Sequence, residues 1–142
     1  MDDQQSKDLV ELLDEIIWRF GSQGPEGYCC EDISYIEYRA LRVLAKGEVP
    51  TVQCLGQLLG VTKSGATRVV DRIEHKGYAR RERDDEDHRV CCVTLTDAGH
   101  ELVDRSVEEF AGKAQHSLER MDAEMRDILV AALRCFVRTF EK

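Results

Sequence analysis

The chain has 142 residues, 42% hydrophobic and 34% charged, a balance typical of one soluble globular domain that excludes a disordered chain. No apolar run approaches the roughly 18 residues of a membrane span, and the polar, acidic N-terminus is no signal peptide, so we expect a cytoplasmic protein with no membrane partner. The net charge of −8 argues at first sight against a nucleic-acid ligand.

The N-terminal part of the chain predicts two helices with a loop between them. Apolar residues recur at helical spacing over about residues 5–20 and predict an amphipathic helix. Glycines and a proline predict a loop over 21–27, which leads into Cys29 and Cys30. Ser34, followed three residues later by Glu37, is a capping box, so we expect the second helix to begin there and to end at Gly47.

Two short helical patterns then follow in tight succession, over about 51–59 and 63–76, with Thr51 and Thr62 as predicted N-caps. Residues 78–95 read as a hairpin with an acidic tip. Two closely linked helices and a hairpin are typical of a winged helix-turn-helix, so the predicted fold class is mainly α (α+β) and the predicted ligand is double-stranded DNA. The second of these two central helices, over 63–76, has a predicted buried stripe of Ala66, Val69, Val70 and Ile73. This stripe leaves Ser64, Thr67, Arg68, Asp71 and Arg72 facing outward.

The charge distribution agrees with a DNA ligand. Residues 61–83 contain seven Lys or Arg and three Asp or Glu, whereas residues 1–20 contain two basic and six acidic residues. Attraction to phosphate acts over about 8 Å at physiological salt, so the local charge matters more than the total.

The C-terminal part predicts a long helix capped by Thr96 and a last helix capped by Asp122. The apolar stripes of the first and last helices are long for a unit of this size, so we expect them to be buried against a second copy of the chain. The alternative is that they pack within one monomer. The predicted organisation is a single domain over 1–142, with the winged helix-turn-helix at 34–96 and dimerisation helices at 1–33 and 97–142.

The motifs of the central region resemble the MarR family of bacterial transcription regulators. The resemblance rests on Leu55–Ser64, on Val70–Gly77, on Asp87-x-Arg89 and on Leu95-Thr-x-x-Gly99, in this order and spacing. It implies a homodimer that binds a pseudo-palindromic operator, with repression relieved by a small molecule, a metal or an oxidant.

Candidate DNA contacts follow from the outward face of the second central helix. Arg68 and Arg72 can donate paired hydrogen bonds to guanine edges or bind phosphate. Ser64 and Thr67 lie near a helix N-terminus that favours anions. Two further candidates for phosphate contacts are Lys63 and Arg83. The resemblance also implies that Asp87 orients Arg89 for a minor-groove contact; the alternative is a hairpin salt bridge without a DNA role.

Three of the six cysteines are candidate effector or redox sites. Cys29 and Cys30 lie in a predicted loop that, in the family, borders the ligand pocket. Cys54 lies in the first turn of a helix, where the N–H groups favour a thiolate. One interpretation is that these thiols sense an oxidant, an electrophile or a thiophilic metal such as arsenite, mercury or copper. The other is that they pack, and that the effector is an organic molecule.

Other classes of function have weaker support. The sequence contains no recognisable catalytic constellation or phosphate loop and no clear histidine cluster, so neither an enzyme nor a cofactor is predicted and any metal site is unknown. The alternatives are a winged-helix protein-interaction module and a thiol-based redox or metal-binding protein without DNA binding.

Overall fold

The structure is a computed structural model that describes residues 3–21, 28–83, 85–86 and 91–140. Its elements in chain order are α1 (Asp3–Phe20), β1 (Tyr28–Cys30), β2 (Ile33–Ser34), α2 (Tyr35–Leu44), α3 (Val52–Leu59), α4 (Lys63–His75), β3 (Ala79–Arg83), β4 (Cys91–Leu95), α5 (Asp97–Leu118) and α6 (Ala123–Arg138). The chain divides into two compact units, residues 1–107 and 108–142.

The start of the first unit contains a hairpin that the sequence patterns did not predict. Strands β1 and β2 pair antiparallel, and the register is irregular between Tyr28 and Cys30. Only Glu31 and Asp32 connect the strands, and Glu31 has a φ of +44°. The expectation that Cys29 and Cys30 lie in a loop was therefore wrong: they lie in β1 and are buried. A three-residue strand is too short to show alternation in its sequence.

The predicted capping box of α2 is confirmed. The Ser34 hydroxyl accepts from the Glu37 N–H at 3.4 Å, and the Ser34 N–H donates to Glu37 Oε2 at 2.7 Å. Glu37 is only 1% exposed, so this carboxylate is also part of the interior.

The helix-turn-helix has the predicted caps. The hydroxyl of Thr51 accepts from the Cys54 N–H at 3.0 Å, and that of Thr62 accepts from the Gly65 N–H at 3.1 Å. Helix α3 ends at Gly60, which has a φ of +67° that a side chain would disfavour. A Cβ on Gly56 would lie 2.8 Å from the Ala66 Cβ, so a glycine allows α3 and α4 to pack this closely.

The wing is an antiparallel pair of β3 and β4, with regular register from Ala79 opposite Leu95 to Arg83 opposite Cys91. Thr51 bridges to Cys92, which ties the start of α3 to the wing. At the tip, Asp85 and Glu86 are exposed, whereas 84 and 87–90 lie outside the described residues.

The core of the first unit lies beneath the helix-turn-helix. It is formed by side chains from α2, α3, α4, β2, β4 and the start of α5. The predicted stripe of α4 is confirmed as buried. The largest fully buried apolar side chains are Ile33, Leu41, Leu55, Val70, Ile73, Val93 and Leu102.

The second unit contains the end of α5, a turn and α6. Asp122 occupies the predicted N-cap position of α6, but its side chain makes no capping hydrogen bond. The ring of Phe136 in α6 packs edge to face at 5.2 Å with the ring of Phe140, which follows the helix.

Helices α1 and α6 contain no buried residue. Their large apolar side chains are instead exposed: Leu9, Val10, Leu12, Ile16, Ile17 and Trp18 in α1, and Met125, Ile128, Val130, Leu133 and Val137 in α6. Among the described residues, no helix combines the length and the apolar character that a membrane crossing would need.

Candidate nucleic-acid interface

An open surface concavity lies at the N-terminal end of α4. It is lined by Thr62, Lys63, Ser64, Thr67 and Arg68, a set that we call the α4 concavity. Four of the eight predicted DNA-binding residues therefore come together on one surface, and all four are exposed. The helix starts here because Thr62 caps it, and the buried stripe on the opposite face fixes which side chains point outward.

Hydrogen bonds within the α4 concavity define what its hydroxyl groups can do. The Ser64 and Thr62 hydroxyls lie 3.2 Å apart. The Thr67 hydroxyl donates to the Lys63 carbonyl at 3.0 Å, so in this conformation its oxygen is left as an acceptor.

The cations of this surface differ in their pairing. Lys63 and Arg68 form no ion pair with any described residue. The charge of these two side chains is therefore available to an anion. Arg72, predicted as an equal candidate, donates from Nε to Glu37 Oε1 at 2.9 Å while its side chain stays 49% exposed.

Glu37 connects α4 to the start of α2. Its carboxylate accepts from Arg72, from Lys76 Nζ at 3.1 Å and from the Ser34 N–H. Burial alone raises the pKa of Glu37, but the hydrogen bonds from Ser34, Lys76 and Arg72 outweigh burial and hold the pKa below its usual value. Glu37 is therefore a buried anion that fixes Arg72 of α4 and Lys76, the C-cap of the same helix.

The wing contributes a second set of charges. The Arg81 guanidinium pairs with Asp71 and Glu74 of α4, and these pairs, against the effect of burial, raise the pKa of Arg81. This arginine holds the wing against α4. Arg83 is exposed at the end of β3. Asp87 and Arg89, the predicted minor-groove pair, lie outside the described residues.

The three candidate cysteines lie in different environments. Cys54 is exposed in the first turn of α3, as expected. Cys29 and Cys30 are 7% and 5% exposed, and their Sγ atoms lie 2.9 Å apart. All six cysteines of the chain are thiols. Within the described ranges, no three or more His, Cys, Asp or Glu side chains gather in a way that could hold a metal ion.

The turn that follows the cysteine pair is held by polar contacts that the sequence analysis missed. Lys76 Nζ donates to the Asp32 carbonyl at 2.6 Å, and the Tyr78 hydroxyl donates to Asp32 Oδ1 at 2.8 Å. Burial, together with the bond to Asp32, raises the pKa of Tyr78 to about 12. Arg105 pairs with Glu31 at 2.8 Å. These partners are separated by 44 to 74 residues, and no local pattern signals such distant pairs.

Parts of this chain are similar in sequence to known proteins. The model of the MarR family matches residues 31–90. The uncharacterized HTH-type transcriptional regulator YdgJ of Bacillus subtilis (strain 168) is 29% identical over 104 residues, 73% of this chain and 63% of that protein. The organic hydroperoxide resistance transcriptional regulator of the same organism is 32% identical over 77 residues, 54% of this chain and 52% of that protein. The matched part thus spans less than two thirds of either relative.

Solved structures share the whole fold. A MarR family protein from Bacillus stearothermophilus superposes with a TM-score of 0.85 at 24% identity and covers 100% of this chain and 99% of that one. Streptococcus pneumoniae FabT in complex with DNA superposes with a TM-score of 0.77 at 21% identity, over 99% and 98% of the chains. The similarity to the MarR family model thus covers residues 31–90, which contain the helix-turn-helix and β3.

Proposed function

We propose that this protein is a repressor that binds a pseudo-palindromic operator in double-stranded DNA through the α4 concavity. The observation that carries the proposal is that Lys63 and Arg68 lie together at the N-terminus of a 13-residue helix, exposed and without an ion pair to any described residue. Uncompensated cations and helix N–H groups on one outward surface attract phosphate, and an arginine there can donate to a guanine edge.

The other candidates have supporting roles in this proposal. Arg72 contacts DNA through the part of its guanidinium that Glu37 leaves exposed. Ser64 and Thr67 contact phosphate or base edges, while Arg83 contacts phosphate. Arg89, oriented by Asp87, enters the minor groove. The likeness to FabT, whose structure was solved with DNA, supports the DNA ligand.

We propose further that the protein acts as a homodimer in the cytoplasm. The exposed apolar side chains of α1 and α6 support this, because apolar surface on this scale is normally covered by a partner. A second copy would place two α4 helices about one helical turn of DNA apart, about 34 Å, which matches two half-sites.

A small molecule, an oxidant or a thiophilic metal would modulate the affinity of the protein for DNA. The relative named for organic hydroperoxide resistance supports an effector of this kind.

The test is a fluorescence-anisotropy titration with the duplex that lies upstream of the protein's own gene. We expect binding that weakens steeply as salt rises, because binding releases counterions from the phosphates and this release is less favourable in a concentrated salt solution. Arg68→Ala should weaken binding about tenfold to a hundredfold, the cost of one specific base contact. Arg120→Ala, an exposed arginine in the second unit, is the matched control and should leave binding unchanged. Undetectable binding of the wild type at low salt would refute the proposal, as would equal effects of the two variants.

A further inference from the structure

Two adjacent cysteines of β1 place their sulfur atoms on the same side of the chain. In a regular strand, successive side chains point to opposite faces. Here the register is irregular between Tyr28 and Cys30, and both cysteine side chains are buried with their Sγ atoms 2.9 Å apart. The irregular register therefore creates a preformed dithiol.

The chain contains a natural control for this geometry. Cys91 and Cys92 are also adjacent, but they lie in β4, whose register with β3 is regular from Leu95 to Cys91. Their side chains consequently point to opposite faces of the wing. Adjacency in sequence is common to both pairs, whereas only the β1 pair is preorganised.

The geometry disfavours a disulfide between Cys29 and Cys30. Their sulfurs would have to approach from 2.9 Å to about 2.05 Å. The peptide bond between them is not cis, so their Cα atoms are about 3.8 Å apart, below the roughly 4.4–6.8 Å that disulfides prefer.

A bridging soft ion fits the same geometry better, and the distance selects among such ions. With metal–sulfur bonds of about 2.3 Å, a right angle at the ion needs sulfurs about 3.3 Å apart, a tetrahedral angle needs about 3.8 Å, and a linear bridge needs about 4.6 Å. The observed 2.9 Å is nearest to the right angle. Trivalent arsenic has such a pyramidal geometry, whereas zinc is tetrahedral and two-coordinate mercury or copper(I) is linear.

We propose that Cys29 and Cys30 form a binding site for trivalent arsenic, taken up as neutral arsenous acid, As(OH)3. Two thiols replace two hydroxyl groups: two As–S bonds form, two As–O bonds break, and each thiol proton leaves with a hydroxyl group as water. Arsenic keeps its oxidation state and one hydroxyl group. No third protein ligand is needed, which fits the described residues, where no cluster of three or more ligating side chains occurs.

The site is linked to α4 by the turn that follows it in the chain. Residues 31–32 follow Cys30 directly, and Glu31 holds a left-handed φ of +44°. Lys76, at the C-terminal end of α4, donates both to the Asp32 carbonyl and to Glu37. Spreading the sulfurs by about 0.4 Å to reach the pyramidal geometry moves this turn and disturbs the contact that positions α4. Bound arsenic therefore weakens DNA binding, a consequence that depends on the function proposed above.

The binding test uses the reduced full-length protein with sodium arsenite and intact-mass spectrometry under native conditions. The wild type should take up one arsenic per chain and retain it against an excess of a monothiol. Cys29→Ser and Cys30→Ser should each weaken arsenic binding by about a hundredfold or more. Each variant loses one of the two As–S bonds, and in the wild type the second bond forms within the same molecule at a high effective concentration. The matched control, Cys91→Ser with Cys92→Ser, should bind as the wild type does.

A second measurement needs no variant. In the wild type, arsenite should protect Cys29 and Cys30 from alkylation, as mapped by peptide mass spectrometry, and should leave Cys54 reactive. Protection of Cys91 and Cys92 instead, or wild-type affinity in Cys29→Ser, would overturn the assignment of the site.

The DNA-linked part is tested separately by anisotropy. Arsenite should weaken operator binding by about fivefold or more, the lower range of known couplings between sites. It should have no effect on Cys29→Ser. Uptake of one arsenic without a change in operator affinity would overturn the coupling. Uptake by a protein that binds no operator at all would refute the proposed function and leave the arsenic site standing.

Discussion

Glu37 joins the start of α2 to α4 and to its C-cap through two ion pairs. Its side chain is 2% exposed, and it accepts from two cations, Arg72 and Lys76, in addition to the Ser34 N–H. A buried carboxylate costs free energy unless it is paired, and here three donors meet that need. The sequence predicts the capping bond to Ser34 because its partner is three residues away. It does not predict the two ion pairs, since their partners are 35 and 39 residues away.

We expect Glu37→Gln to lower the free energy of unfolding by about 2 kcal/mol at neutral pH, because it removes charge-assisted hydrogen bonds from a buried site. Urea denaturation measures this effect. Glu48→Gln makes the same chemical change at an exposed position and should stay within about 0.5 kcal/mol of the wild type. Equal stabilities of the two variants would contradict a structural role for the ion pairs.

The same residue predicts a pH dependence. The pKa of Glu37 is lower in the folded protein than in the unfolded chain, so the unfolded chain binds more protons between the two values. The stabilisation is therefore complete above the unfolded pKa, about 4.3, and is lost as pH falls through the folded value. The stability difference between the wild type and Glu37→Gln should shrink below about pH 4.3. A difference that stays constant down to acid unfolding would be inconsistent with this assignment.

At the scale of elements, Gly99 determines how the start of α5 packs on the turn between α4 and β3. It is buried in the first turn of α5, and a Cβ there would overlap the Tyr78 carbonyl oxygen. That oxygen also accepts from the Thr96 N–H at 3.1 Å, so it is not free to move away. The glycine of the Leu-Thr-x-x-Gly motif is thus a requirement of close packing between the helix and the preceding turn.

Gly99→Ala should therefore destabilise the protein by about 3 kcal/mol, the upper range for overpacking. Gly112→Ala is a matched control in the same helix, where a Cβ meets nothing within 4 Å. There the higher helix propensity of alanine should stabilise the protein by about 0.5–1 kcal/mol. Thermal unfolding of both variants gives the comparison, and a neutral Gly99→Ala would show that the turn can move.

The elements themselves were largely predictable. The helix-turn-helix, its two threonine caps and the wing follow from periodicity and from polar residues at fixed offsets. The β1–β2 hairpin was not predictable, because its strands of three and two residues are held by distant side chains and not by a local pattern.

At the scale of the whole molecule, one chain alone does not explain why α1 and α6 have exposed apolar faces. Ile17 and Ile128 are 66% and 51% exposed, although the periodicity places them on apolar stripes. Burying such stripes against a second copy is the basis of the proposed dimer.

We expect Ile128→Glu to weaken the dimer by about a hundredfold, because it buries an unpaired charge in the interface. Val49→Glu changes an equally exposed apolar residue in the loop between α2 and α3 and should leave association unchanged. Sedimentation equilibrium measures both constants. A monomeric wild type at micromolar concentration would refute the dimer, and equal behaviour of the two variants would place the interface elsewhere.

The sequence alone determined the fold class of this protein. Helix caps, periodic apolar stripes and turn residues act over three or four positions and are therefore visible in the sequence itself. It also identified the exposed residues of α4, since the buried stripe fixes the opposite face. Only the tertiary structure separated Arg68 from Arg72, through the pairing of Arg72 with Glu37. Only the tertiary structure brought the two sulfurs of β1 together, through an irregular register. The first is a contact between residues 35 positions apart, and the second lies in a short hairpin whose turn is held by Lys76, 44 positions away. Burial and charge pairing select such distant contacts only after the chain has folded.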